Sequence, residues 1–190
     1  FGKCIDLFGN PVDDEGNSIG HNGEKVDISR YFMTNGVFTR DAQRDGEYTK
    51  MLGDEIVKRF HIEARVFASH LVAFVAFELV RKKYKKLDIY AVLRLPEEDQ
   101  RLTYLEFTNA VSRMIDKLRE MAANGEVHIY HELEIPEIDK VIETGIKNLG
   151  MYHAKRPLYK TKDDFIMSED FNLLFFYHNR LEGYGLAKYI

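Results

Sequence analysis

The ten residues LVAFVAFELV, at positions 71–80, hold one charged side chain and no polar face. A helix that is apolar nearly all round has no side to turn to water, so this segment must run through the middle of whatever the chain builds. Ser69 is the expected N-cap of that helix. The basic residues Arg81, Lys82, Lys83, Lys85 and Lys86 close it. Its uninterrupted apolar stretch, 71–77, falls far short of the roughly 20 residues that span a bilayer, so the burial it demands is burial in protein.

Other segments have the patterning to surround such a helix. Tyr48, Met51, Leu52, Ile56, Val57 and Phe60 recur at helical spacing and predict an amphipathic helix over about 46–61. Thr103-Tyr104-Leu105-Glu106 is a capping box, followed by the apolar face Phe107, Val111, Met114, Leu118 and Met121 and stopped by Asn124-Gly125. A short strand over 126–129 precedes a helix that Pro136 opens and Gly150 ends. Residues 157–160 and 165–167 flank Thr161-Lys162-Asp163-Asp164 as a β-hairpin. A last helix starts at Ser168, with Glu169 and Asp170 at its positive end. The expected fold is α+β and mainly helical, with a winged-helix-like succession of helix, helix and hairpin between 103 and 167.

The front of the chain is different. Seven of its thirteen glycines lie in the first 46 residues, among Asn, Asp and short β-branched stretches. This predicts strands and loops: an apolar strand over 2–8 running into the turn Gly9-Asn10-Pro11, and a hairpin through Gly16 to Gly23. The 2–8 strand is expected to pair near Val26 and Ile28, or with a second copy, and Cys4 is expected to be buried in it. No internal repeat is expected. The division is 1–46 as strand and loop, and 47–190 as a helical domain.

Charge and spacing exclude several chemistries. A net charge of −4 argues against a surface built throughout for nucleic acid. The would-be recognition helix of the winged-helix-like part sets Asp139 and Glu143 against Lys140 and Lys147, a poor match for a phosphate backbone. One cysteine, Cys4, forms no internal disulfide and points to a reducing compartment. His128 and His131 sit three apart on a strand and so face opposite ways, which predicts no metal site. Asp13, Asp14, Glu15 and Gly16 lack the alternating oxygens and closing glutamate of a calcium loop. No phosphate-cradling glycine loop and no nucleophile elbow is present. Two clusters remain. Lys155 and Arg156, with His178 and Arg180, are candidates for holding a phosphate. Arg81, Lys82, Lys83, Lys85 and Lys86 are candidates for contact with an anionic membrane. For both sets the favoured reading is the plainer one, cations at a helix C-terminus, where they complement the macrodipole.

Three blocks carry a family resemblance: Phe1-Gly2-Lys3-Cys4-Ile5-Asp6, then Ser69-His70-Leu71-Val72-Ala73-Phe74, then Leu173-Leu174-Phe175-Phe176-Tyr177-His178-Asn179-Arg180. In this order they resemble the C-terminal region of the large bacterial glycerol-3-phosphate acyltransferases, and most of all the 1-acylglycerol-3-phosphate acyltransferase branch. Cys4 stands where that family usually has proline. The resemblance implies that 1–46 is the tail of an α/β catalytic domain lying upstream, and that 47–190 is an accessory domain. The family's catalytic signature is HxxxxD, in which histidine is general base on a glycerol hydroxyl and aspartate orients it. None of the seven histidines has aspartate five positions on, and Glu182-Gly183 lacks the family's following arginine-rich segment. The implied function is that of a non-catalytic domain with no cofactor, whose parent transfers an acyl group from a coenzyme A or carrier-protein thioester to a glycerol phosphate. The implied partners are the catalytic domain of the same protein and an anionic membrane surface, without nucleic acid. The implied location is peripheral, on the cytoplasmic side of the bacterial inner membrane. The alternative is a winged-helix-like binding or regulatory module with no enzymatic parent.

Overall fold

A computed structural model describes residues 2–190. The fold is α+β and mainly helical, in two compact units that divide between Ala64 and Arg65.

The first unit opens on a repeat of seven residues. Ile5, Val12, Ile19 and Val26 begin successive rungs, each followed by Asp6, Asp13, Gly20 or Asp27. In three rungs the chain turns back at Gly9, Gly16 and Gly23, whose φ values of 80°, 85° and 81° suit glycine. Their amides donate to the carbonyls of Asp6, Asp13 and Gly20 at 3.1, 3.0 and 2.9 Å. Rung is joined to rung the same way each time: Val12, Ile19 and Val26 donate to the carbonyls of Cys4, Pro11 and Ser18. Asp6 and Asp13 also fold back on their own turns, accepting from the amides of Asn10 and Asn17 at 2.9 and 2.7 Å. This corrects the expectation of no repeat. It also corrects the expected 2–8 strand, because the Asp6 carboxylate takes the Phe8 amide at 2.7 Å and bends the chain directly after Ile5. Among the described residues Ile5 pairs with Pro11, the last residue of its own rung, and not with 26–28, and the expected Gly16–Gly23 hairpin is two successive rungs. Cys4 is exposed.

A 3-10 turn, Ile28–Phe32, leads into the hairpin β1 (Met33–Thr34) and β2 (Val37–Phe38). Helix α1, Ala42–Glu63, starts four residues before the predicted one because Asp41 caps it, accepting from the amides of Gln43 and Arg44. Phe8 sits among Tyr31, Phe32 and Tyr48, with ring centroids 4.5, 5.3 and 5.0 Å away. No residue of α1 is fully buried, and Met51, Val57 and Phe60 of its apolar stripe are more than half exposed.

The second unit is organised by helix α2, Ala68–Lys83, in which every residue from Leu71 to Val80 is buried. Ser69 is not its cap. The Ala68 amide donates to Glu132 Oε1 at 2.9 Å and the Phe67 amide to His70 Nδ1 at 3.3 Å, so the capping groups come from a distant carboxylate and from the third turn position. Strand β3 (Arg65–Val66) precedes α2, and the short helix α3 (Ile89–Leu93) follows it. Strand β4 (Leu102–Thr103) leads into α4 (Tyr104–Ala123), where Thr103 Oγ1 accepts from the Glu106 amide at 3.2 Å, the threonine half of the expected capping box. The Glu106 carboxylate lies 3.6 Å from Lys83 Nζ. Strand β5 (His128–Ile129) runs parallel to β3, and α5 (His131–Glu134) begins directly after it. Helix α6, Ile138–Asn148, packs across α2 so closely that a Cβ on Gly145 would stand 2.8 Å from the Ala68 carbonyl. The expected hairpin forms as β6 (Tyr159–Lys160) and β7 (Phe165–Met167), and β4 joins β7 on its other edge in an antiparallel sheet ordered β4-β7-β6. Asp170 rather than Ser168 caps the last helix, α7 (Phe171–His178), accepting from the Leu173 amide at 3.0 Å. No helix among the described residues is long and apolar enough to cross a membrane.

Candidate functional site

Helix α2 carries one carboxylate into the core. Glu78 is 5% exposed, and in an apolar interior an unpaired carboxylate is strongly disfavoured. The last residue of α7 answers it: His178, 1% exposed, places Nε2 2.9 Å from Glu78 Oε1. A carboxylate only accepts when ionised, so Nε2 carries the proton and donates. Nδ1 lies 3.3 Å from Asn179 Oδ1. Aromatic rings fix the imidazole's plane. Phe74 stacks on it at 4.8 Å with 3° between planes, and Phe77 and Phe175 stand 4.6 and 5.7 Å away. Toward solvent, Arg81 Nη1 is 3.0 Å from the same Glu78 oxygen and Glu182 lies 3.5 Å from His178 Nε2.

Outside this pair opens a groove of about 810 Å³. Arg81 and Lys82 from the last turn of α2, with Lys85 and Lys188, supply four cations to its lining, against the carboxylates of Glu78 and Glu182. Leu87, Ile89 and Val92 around α3, with Phe175 of α7, make an apolar wall. Lys82 Nζ donates to the Ile190 carbonyl and Arg81 is held by Glu78. Lys85 makes no hydrogen bond or ion pair among the described residues, and Lys188 lies 5.1 Å from the Tyr189 ring.

Glu78, His178 and Glu182 bring three potential metal-ligand atoms within 4.8 Å of one another. The Arg81 guanidinium already occupies the Glu78 oxygen that bonds His178, and four cations line the groove outside, so the electrostatics of this cluster do not favour a metal ion.

The four phosphate candidates from the sequence are not gathered at one point. Arg156 is held by Glu169 through its backbone amide and its guanidinium, and stacks over Tyr159 at 4.2 Å. That pairing holds the Glu169 carboxyl below the usual carboxylate range. Lys155 lies 3.9 Å from Asp170, His178 is inside the core, and Arg180 is exposed on the 3-10 turn after α7. Of the membrane candidates, Arg81 and Lys82 line the groove with Lys85. Lys83 turns the other way, donating to the Arg101 carbonyl at 2.8 Å, and Lys86 is exposed. Sequence reasoning missed Glu78, Glu182 and Lys188. The one available signal was Glu78, a lone carboxylate within an all-apolar run.

Comparison of the chain with protein-family models, with curated proteins and with solved structures gave no match.

Proposed function

We propose that this chain is a non-catalytic C-terminal part of a glycerolipid acyltransferase. In this proposal the parent transfers an acyl group from a coenzyme A or carrier-protein thioester to glycerol-3-phosphate or its 1-acyl ester at the cytoplasmic face of the bacterial inner membrane. One observation carries the proposal. Two of the three blocks on which the resemblance rests, 69–74 and 173–180, pack together, and their contact is the stack of Phe74 on His178 at 4.8 Å. Blocks that share a core are expected to persist together in a family because neither packs without the other. The role this gives His178 is architectural, since a base that is 1% exposed and bonded to Glu78 has no approach to a glycerol hydroxyl.

The test is acyl transfer measured for the 190-residue chain and for the complete gene product. The complete protein should transfer acyl groups and carry HxxxxD upstream of Phe1, and the chain alone should be inactive. Acyl transfer by the chain alone, abolished by substituting His178 or His153, would overturn the proposal. So would a gene product without that motif.

A second reading is a winged-helix-like binding or regulatory module without an enzymatic parent. The succession α4, α6, β6, β7, interrupted by β5 and α5, with β4 and β6 flanking β7 in the sheet, supports it. Asp139, at the start of α6, accepts from Tyr104 Oη at 2.8 Å, and with Glu143 it offsets Lys140 and Lys147 on that helix, which makes a poor surface for a phosphate backbone. Duplex DNA binding at physiological salt is accordingly expected to be absent.

A further inference from the structure

We infer that helix α1 pairs with α1 of a second copy of this chain, antiparallel and about a two-fold axis at the level of Met51. The inference rests on α1 alone and is independent of the acyltransferase proposal. One face of α1 is used within the first unit: the Tyr48 ring stands 5.0 Å from that of Phe8, and Arg59 Nη1 donates to the Lys3 carbonyl at 3.0 Å. A second face is not. Ala42, Gly46, Thr49, Gly53, Ile56 and Phe60 follow one another in alternating steps of four and three, the spacing of a coiled-coil seam, and all six are exposed. Phe60 is 67% exposed, and a Cβ on Gly46 or Gly53 would meet nothing within 4 Å. The Thr49 hydroxyl donates to the Asp45 carbonyl at 2.8 Å, so it brings no unmet donor to the seam.

The seam is slight at one end and bulky at the other, and this selects its occupant. With Ala42 set against Phe60 of the other copy, Gly46 falls against Ile56 and Thr49 against Gly53, so each large side chain meets a small residue at both ends. A parallel pair would crowd Phe60 on Phe60 and leave Gly46 facing Gly46 across a void. Glycine inside a helix is disfavoured against alanine, and here two of them open the space that the other copy's side chains fill. Charge agrees with shape. Lys50 and Asp54 flank the seam on one side, and neither makes an ion pair among the described residues although they are four apart. In the antiparallel register each Lys50 comes beside the other copy's Asp54, which gives two equivalent ion pairs, as an isologous contact requires. The overlap of 42–60 is about 28 Å long. A contact of that size lies at the low end of specific interfaces, so the association is expected to be weak and reversible, in the micromolar range.

The experiment is sedimentation equilibrium of the 190-residue chain from about 1 μM to about 500 μM, which spans the expected constant. The mass should rise reversibly from that of one chain toward that of two. Gly46→Gln combined with Gly53→Gln should weaken the association at least tenfold, while circular dichroism shows equal or greater helix content because glutamine favours helix over glycine. Loss of the pair then has no explanation in a melted helix. Phe60→Glu should abolish association. Orientation is read from a nitroxide on Gln43→Cys in a Cys4→Ser chain: antiparallel helices hold the two labels about 24 Å apart along the axis, whereas parallel helices bring them side by side. A chain that stays monomeric throughout, a double variant or a Phe60→Glu variant that associates like the parent chain, or labels found side by side would overturn the inference.

Discussion

Glu78 and His178 stand one hundred positions apart in the chain and 2.9 Å apart in the fold, and both are closed off from water. Removing one partner leaves the other buried and unpaired. His178→Ala is therefore expected to cost about 3–5 kcal/mol, and Glu78→Gln, which keeps an acceptor for the imidazole, only about 1 kcal/mol. Urea unfolding of the two variants measures both values. Equal costs would show instead that an amide at position 78 does not replace the carboxylate as the imidazole's partner.

His70 makes a separate pH dependence. Burial lowers its imidazole to about 4, with the nearby Arg180 charge adding to the effect, and its Nδ1 must stay unprotonated to accept from the Phe67 amide. In the unfolded chain the same group takes a proton near 6.5. Stability from this residue is thus complete above about 6.5 and is lost as pH falls toward 4, by at most about 3 kcal/mol. Imidazole titration by NMR and urea midpoints at pH 7 and pH 5 test it. Arg180→Gln should raise the His70 value and shallow the slope.

Gly145 holds α6 against α2. An added Cβ would meet the Ala68 carbonyl and a Val72 methyl, both at 2.8 Å, and backbone cannot step aside as a flexible side chain can. Gly145→Ala should cost about 1–3 kcal/mol despite the better helix propensity of alanine. Gly53→Ala in α1, which meets nothing within 4 Å, should be neutral or stabilising. Thermal midpoints of the two variants should move in opposite directions or, at the least, by clearly different amounts.

Membrane attraction, if the basic end of α2 provides it, must come from a subset of its five cations. Lys83 is committed to the Arg101 carbonyl and Glu106, Arg81 to Glu78 and Lys82 to the Ile190 carbonyl, which leaves Lys85 and Lys86 as the uncommitted charges. Binding to anionic vesicles should fall with salt and lose about 1 kcal/mol for each of these two lysines replaced by glutamine. Vesicle sedimentation at two salt concentrations reads this directly.

The helical part of the fold was legible because its signals are local. An all-apolar run such as 71–80 has one way to be satisfied, and Thr103, Asn124-Gly125 and the 157–167 hairpin act through neighbouring backbone groups. The start of α2 was misread at Ser69 because its cap, Glu132, arrives from another part of the chain. The same distance hid the site. Nothing in the sequence links Glu78 to His178 or puts Lys188 and Lys85 on the lining of one groove. The seven-residue period was overlooked for another reason. Gly20 replaces aspartate and Glu24 replaces asparagine in the third rung, so only the glycine and the β-branched position recur throughout, and two marks in seven are hard to see.

Those rungs also determine how this stretch can change length. From the second rung on, each amide at the head of a rung is bonded to a carbonyl eight residues earlier, and each of the three turns is closed within its own seven. Inserting or deleting a whole rung therefore leaves every donor with an equivalent acceptor. A single added residue instead takes a glycine out of the one position where the backbone has φ near 80°. The front of the chain is in this respect a ruler graduated in sevens, and natural or engineered variants of it are expected to differ by whole graduations.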